Sequence, residues 1–122
     1  MENIFLKGII LILAIIVLDT LWFSSMKTVY HAEAGNAFKA PNYYYACATY
    51  LLLIIGLLYF TTSENATTAL QTGALLGFIV YGVYNFTNLT IIAHWTPKLA
   101  LIDTLWGTIA CAIVSYVHFL LR

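Results

Sequence analysis

Charge is nearly missing from this chain. Only 8% of its 122 residues are Asp, Glu, Lys or Arg, five of each sign, so no basic field exists to hold nucleic acid, which is excluded as a partner. Cysteine is almost as scarce. Cys47 and Cys111 are the two present, and both lie inside apolar runs, where a thiol behaves as a small hydrophobe. They build neither a disulfide framework nor a metal site. Enzyme signatures are missing too: no His-Glu-x-x-His helix, no Gly-x-Ser-x-Gly elbow, no glycine-rich phosphate loop and no Gly-Asp pair of the intramembrane aspartyl protease kind. No cofactor and no bound metal are implied, and an enzymatic role is the less favoured reading.

What remains is apolar. Hydrophobic residues make up 62% of the chain and mean hydropathy is +0.90, which points to the bilayer as solvent. Crossing about 30 Å of hydrocarbon takes about 20 apolar residues in a helix, and four stretches meet that length, at about 4–25, 43–61, 70–93 and 99–121. The expectation is an all-α integral membrane four-helix bundle. Its four transmembrane helices would run antiparallel, up and down, as a single domain over 1–122, multi-pass in a membrane the sequence does not name. Lys7 followed by Gly8 to Leu18 resembles a signal peptide, but no small-x-small cleavage site follows, so the first segment is read as a retained span.

The breaks between spans are where polar residues gather, as they must be when chain reversals need water or headgroups. Residues 27–42 form the one long polar loop, with Lys27, His31, Glu33, Gly35, Asn36 and Lys39, and Pro41 suits the first turn of the second helix. The second loop holds Ser63, Glu64 and Asn65. The third is tight, with Thr96 as N-cap and Pro97 at the first helical position. Lys27, Lys39 and Lys98 lie on one side against Lys7 and Arg122 on the other, which favours a cytoplasmic first and third loop.

Against this background two acids inside spans stand out, since ionisable groups in lipid are costly. Leu18-Asp19-Thr20-Leu21-Trp22 in span one and Ile102-Asp103-Thr104-Leu105-Trp106 in span four share four identical residues in register, each with Trp one turn after Asp. With these spans antiparallel, Asp19 and Asp103 fall near the same membrane face. Tyr81, Asn85 and Asn88 form one stripe of span three at the same level, flanked by Tyr84 and Thr87. Two arrangements follow. Either the acids face one another and share a proton, or the first helix runs a further turn and reciprocal indole N–H to carboxylate bonds form. The asparagines can donate to the carboxylates in both. Interhelical polar bonds that serve only as glue contribute about 0.6 to 2 kcal/mol each, a small return for retaining two acids.

Other features carry less. Gly73-x-x-x-Gly77, with Gly82 beyond, offers a smooth strip for helix packing. Trp95 and Tyr43, Tyr44 and Tyr45 read as interfacial anchors. His31 and His94 read as exposed loop histidines, and His118 as interfacial at the opposite end.

Taken together, the Leu-Asp-x-x-Trp of span one, Tyr81-Gly82-x-Tyr84-Asn85-x-Thr87-Asn88-Leu89, Trp95 and Asp103-x-x-Trp106-Gly107 resemble the small membrane proteins called domain of unknown function 2177, over essentially the whole chain. The resemblance implies four spans and no established activity. In that family's pattern Asp is usual where this chain has Asn85, so the resemblance implies one carboxylate fewer here.

The reading is of a membrane protein with a polar site near one leaflet, binding or passing an ion, a proton or a small molecule. Asp19 and Asp103 would form its centre, Asn85 and Asn88 would orient them, and Trp22 and Trp106 would wall the pocket beside Tyr81. The alternatives are a lipid-binding or lipid-modifying enzyme or accessory subunit, and a structural bundle without its own activity. The bilayer is the expected partner, together with further copies of the chain in a homo-oligomer.

Overall fold

The computed structural model describes residues 3–122, and at Asn36 the backbone alone. Residues 1 and 2 of the expected domain lie outside the described residues, as does the side chain of Asn36. Four helices follow one another: α1 Ile4–Ala34, α2 Tyr43–Phe60, α3 Ala66–Ile91 and α4 Pro97–Leu120, with a 3₁₀ turn at Gly35–Ala37. All four are long and apolar enough to span a membrane, and their outward faces are crowded with large apolar side chains such as Phe5, Leu52, Leu75 and Leu101. The chain is an all-α, multi-pass integral membrane bundle.

Each helix starts on a side-chain cap. Asn3 accepts from the N–H groups of Phe5 and Leu6, Asn42 from Tyr44, Asn65 from Thr68 and Thr96 from Leu99. Such caps satisfy backbone donors that would otherwise be orphaned at the bilayer edge. Pro97 opens α4 as expected, whereas Pro41 does not open α2: it lies before the Asn42 cap.

The largest departure concerns the first loop. Helix α1 does not stop near residue 25 but continues to Ala34. No glycine or proline interrupts the chain between Gly8 and Gly35, and Trp22, Met26, Tyr30 and Ala34 recur every fourth residue. That spacing makes one helical stripe, which packs against Trp95, Leu99 and Ala100 at the head of α4. The polar residues Lys27, Thr28 and His31 face outward on this extension, while Glu33 pairs with Lys98 at 3.3 Å and accepts from Thr96 at 3.1 Å. Much of the expected loop is therefore the last turns of α1, fastened to the start of α4.

Helices α3 and α4 are pressed together. Along α3 the inward stripe reads Ala69, Gly73, Gly77, Tyr81, Asn85 and Asn88, small in one half and polar in the other. A Cβ at Gly73 would run into Cys111 and Ser115, and one at Gly77 into the Gly107 carbonyl. Gly107 in turn leaves the space that the Tyr81 ring fills. Ser115 Oγ donates to the Ala69 carbonyl at 2.6 Å across the same seam. Gly82 is different: a Cβ there would meet only Thr104 Cγ2, at 3.8 Å, so it does not set the approach. His118 is also placed otherwise than expected, since it is buried with Nδ1 3.3 Å from Thr61 Oγ1.

Gly77→Ala should accordingly destabilise the bundle by about 1–3 kcal/mol, the usual cost of overpacking. Gly82→Ala should be neutral or slightly stabilising, because a helical glycine carries excess unfolded-state entropy. Unfolding titrations of both variants in mixed micelles, followed by helical circular dichroism, would show equal midpoints if the Gly77 seam were not closed.

Candidate functional site

The two acids are drawn into the bundle by donors from every helix. Asp19 of α1 accepts from Trp106 Nε1–H of α4 at 2.9 Å on Oδ1 and from the Tyr50 hydroxyl of α2 at 2.7 Å on Oδ2. Asp103 of α4 accepts from the Tyr30 hydroxyl of α1 at 2.6 Å on Oδ1 and from Asn85 Nδ2 of α3 at 2.7 Å on Oδ2. Four carboxylate oxygens thus meet four donors, one each. All accept, the pattern of the acceptor-only carboxylate.

Tryptophan fixes the sense of these bonds, because an indole N–H donates and never accepts. Trp22 donates to the Tyr30 oxygen at 2.9 Å, leaving the Tyr30 proton for Asp103. Trp95 donates to Asn85 Oδ1 at 3.1 Å, which turns the amide so that Nδ2 faces Asp103 and the Tyr81 carbonyl. Trp106 donates to Asp19 directly. All three tryptophans of the chain therefore end on the two carboxylates. Trp22 and Trp106 also stack on each other, centroids 4.6 Å apart and planes 4° from parallel.

The acids are staggered rather than face to face. Asp103 lies six residues into α4, about 9 Å along the axis, and Asp19 is level with Trp106, about a turn deeper. The shared-proton geometry is replaced by the indole one, with a correction: the Trp106 to Asp19 bond forms directly, but Trp22 reaches Asp103 only through Tyr30. Other site expectations change as well. Trp22 and Trp106 lie behind the acids as a stacked pair instead of walling a pocket. Asn88 is buried but its amide nitrogen has no partner among the described residues, so it does not orient the acids. Trp95 is buried and bonded, not an interfacial anchor.

Tyr30 and Tyr50 were not anticipated as site residues. Tyr30 had a signal, its place in the Trp22-Met26-Tyr30 stripe, which is visible only once helix α1 is extended. Tyr50 had none beyond being a tyrosine inside a span.

A cavity of about 750 Å³ opens beside this network. Asp19, Tyr30, Tyr50, Tyr81 and Asp103 form its polar wall, while Leu52, Leu53, Gly56, Leu76 and Val80 line its apolar end between α2 and α3. Phe38, Pro41, Tyr84 and Trp95 stand at the other end, towards the first and third loops. Neither carboxylate has a cationic partner among the described residues, where the one ion pair is Lys98 with Glu33. Nor do three His, Cys, Asp or Glu side chains converge there.

Fold and site together define a class: a small intramembrane helical bundle with two buried, hydrogen-bonded carboxylates beside a cavity. More particularly, the model of the family described as predicted membrane protein (DUF2177) matches residues 4–120, and the chain belongs to that family. No curated protein and no solved structure matches it.

Because the Tyr30 hydroxyl both accepts from Trp22 and donates to Asp103, Tyr30→Phe removes two bonds and should cost about 1.5–3 kcal/mol, the range for bonds to charged groups. Tyr50→Phe removes one bond, also to a carboxylate, and should cost nearer about 1.5 kcal/mol, the low end of that range, because water can replace the hydroxyl at the cavity edge. Tryptophan fluorescence during unfolding measures both, and a Tyr50 variant as damaged as the Tyr30 variant would contradict this ranking.

Proposed function

We propose that this protein binds a small ligand carrying a cationic or strongly hydrogen-bond-donating group within the membrane, with Asp19 and Asp103 as the groups that hold it. The observation that carries this reading is the pair of carboxylates on one cavity wall with no cation among the described residues beside them. A charged side chain at a helix centre costs about 2.5–3.5 kcal/mol on insertion scales. Two charge-assisted hydrogen bonds of about 1.5–3 kcal/mol each offset that cost, so the acids can wait without a counter-ion and still attract one.

Binding is favoured over permeation by the packing below the cavity. Leu11, Leu57, Cys111 and Val114 are fully buried against one another there, and a path for ions through one copy would have to cross them. An enzymatic use of the acids lacks any second reacting group in the cavity beyond Thr49, whose hydroxyl donates to the Tyr45 carbonyl, and the tyrosine hydroxyls. Of these, Tyr81 forms no side-chain hydrogen bond with the described residues and is free to meet a ligand.

The test is a titration of the purified protein with butyltrimethylammonium, a compact cation, read by tryptophan fluorescence because Trp95 lines the cavity. Saturable quenching is expected in the parent, with affinity at least tenfold weaker in Asp19→Asn and Asp103→Asn proteins whose helical content is unchanged. Superimposable curves for parent and both variants, or no saturable response in the parent, would overturn the reading.

A further inference from the structure

The shape of the cavity says more about the ligand than its charge does. Its α2 wall runs from Ala46 to Gly56, ten residues or about 15 Å of helix. Its α3 wall runs from Tyr84 back to Leu76, about 12 Å. The polar groups are not spread along this length. The carboxylates and the Tyr30 and Tyr50 hydroxyls sit in the half nearer the first and third loops, and Gly56, with Leu76 Cδ2 3.8 Å from where its Cβ would be, closes the other end in a purely apolar setting.

The polar half is also aromatic. Phe23, Tyr30, Phe38, Tyr81, Tyr84 and Trp95 border it, and Tyr84 stands edge-on to Trp95 with centroids 5.9 Å apart, as Phe38 does obliquely at 5.8 Å. Aromatic faces beside carboxylates are the surroundings in which an alkylated ammonium is best held, since cation–π attraction needs no hydrogen from the ligand and strengthens when water is excluded. A metal ion would need its hydration shell replaced by several oxygens, and two carboxylates whose four oxygens each already accept a hydrogen bond supply few. The wall opposite is a seam between α2 and α3 bordered by Leu52, Val80 and Tyr84, all exposed on the outside of the bundle. That surface faces lipid, so a ligand can enter from the bilayer without crossing water.

We infer that the ligand is a single-chain amphiphile with an alkylammonium head: the head lies among Asp19, Asp103 and the aromatic ring faces, and the chain lies between α2 and α3 toward Gly56. This rests on the cation-binding reading above and adds the tail and the route of entry. The ammonium could be that of a membrane lipid headgroup or of a free amphiphilic amine dissolved in the bilayer; the chemistry recognised is the same.

The experiment is a chain-length series on the full-length protein in maltoside micelles: butyl-, octyl- and dodecyltrimethylammonium, with the Asp19→Asn/Asp103→Asn double variant as the blank for partition into the micelle. Dodecyltrimethylammonium is expected to bind at least tenfold tighter than the butyl compound after that subtraction, and Gly56→Leu, which blocks the apolar end, is expected to shrink this ratio to threefold or less. Lysophosphatidylcholine of the same chain length separates the sources: tighter binding than dodecyltrimethylammonium assigns the ligand to lipid headgroups, and weaker binding to free amphiphilic cations. Equal affinities along the series, still dependent on the acids, would overturn the tail while leaving the cation site standing. A chain-length ratio that survives Gly56→Leu unchanged would also overturn it. Chain-dependent binding identical in parent and double variant would instead remove the cation site itself.

Discussion

Four carboxylate oxygens receiving four donors from four helices is the constraint on which this bundle rests. In lipid there is no hydrophobic force to pull helices together, since acyl chains are as apolar as leucine, and association has to come from packing and polar bonds. Asp19 ties α1 to α2 and α4; Asp103 ties α4 to α1 and α3. Because each acid sits on a helix that also supplies a donor to the other, directly or through Tyr30, shifting any one helix by a turn would strand at least one carboxylate oxygen in a low-dielectric interior. Register is thus specified by electrostatics in one half of the bundle and by shape in the other, where Gly73, Gly77 and Gly107 let α3 and α4 close up.

That division of labour explains where the cavity is. The glycines draw α3 onto α4 and away from α2, and nothing comparable draws α2 onto α3: even a Cβ at Gly56 would meet Leu76 only at ordinary contact distance. Tyr50 holds α2 to Asp19 from one side, leaving the α2–α3 seam as the least closed wall. A bundle stabilised symmetrically would have no such opening. The buried layers at Leu11, Ile15, Leu57 and Val114 then close it off beyond its apolar end.

Much of this was legible in the sequence, and what was not has identifiable causes. Four spans follow from hydropathy, and the twin Asp-Thr-Leu-Trp motifs marked both acids because charge in a span has few reasons to exist. The end of α1 was not legible from hydropathy, since Lys27, His31 and Glu33 lower the average just where the helix continues; only the fourfold spacing of Trp22, Met26, Tyr30 and Ala34 carried it. That single boundary concealed Tyr30 and left the face-to-face acid pair open beside the indole arrangement that the longer helix produces. Tyr50 and Trp95 were obscured differently. Aromatic residues near span ends are so often anchors that the type alone cannot distinguish Trp95, buried and bonded to Asn85, from Tyr44, which is 88% exposed. Asn88 shows the reverse error, a correct stripe position whose amide finds no partner.

The two motifs are alike in sequence and unlike in use, and the difference lies in one inserted hydroxyl. Trp106 reaches Asp19 directly, whereas Trp22 reaches Asp103 through Tyr30. Direct reciprocity on both sides would have seated the acids symmetrically about the Trp22–Trp106 stack, each screened by an indole. With Tyr30 interposed, Asp103 takes its donors from a phenol and an amide and stands nearer the loop end of the cavity, while Asp19 lies about one turn deeper beside Tyr50. The cavity therefore presents two acceptor groups in succession along the bundle axis rather than one paired site. Two carboxylates so staggered repel each other less than a facing pair would, and both line the same wall of the cavity.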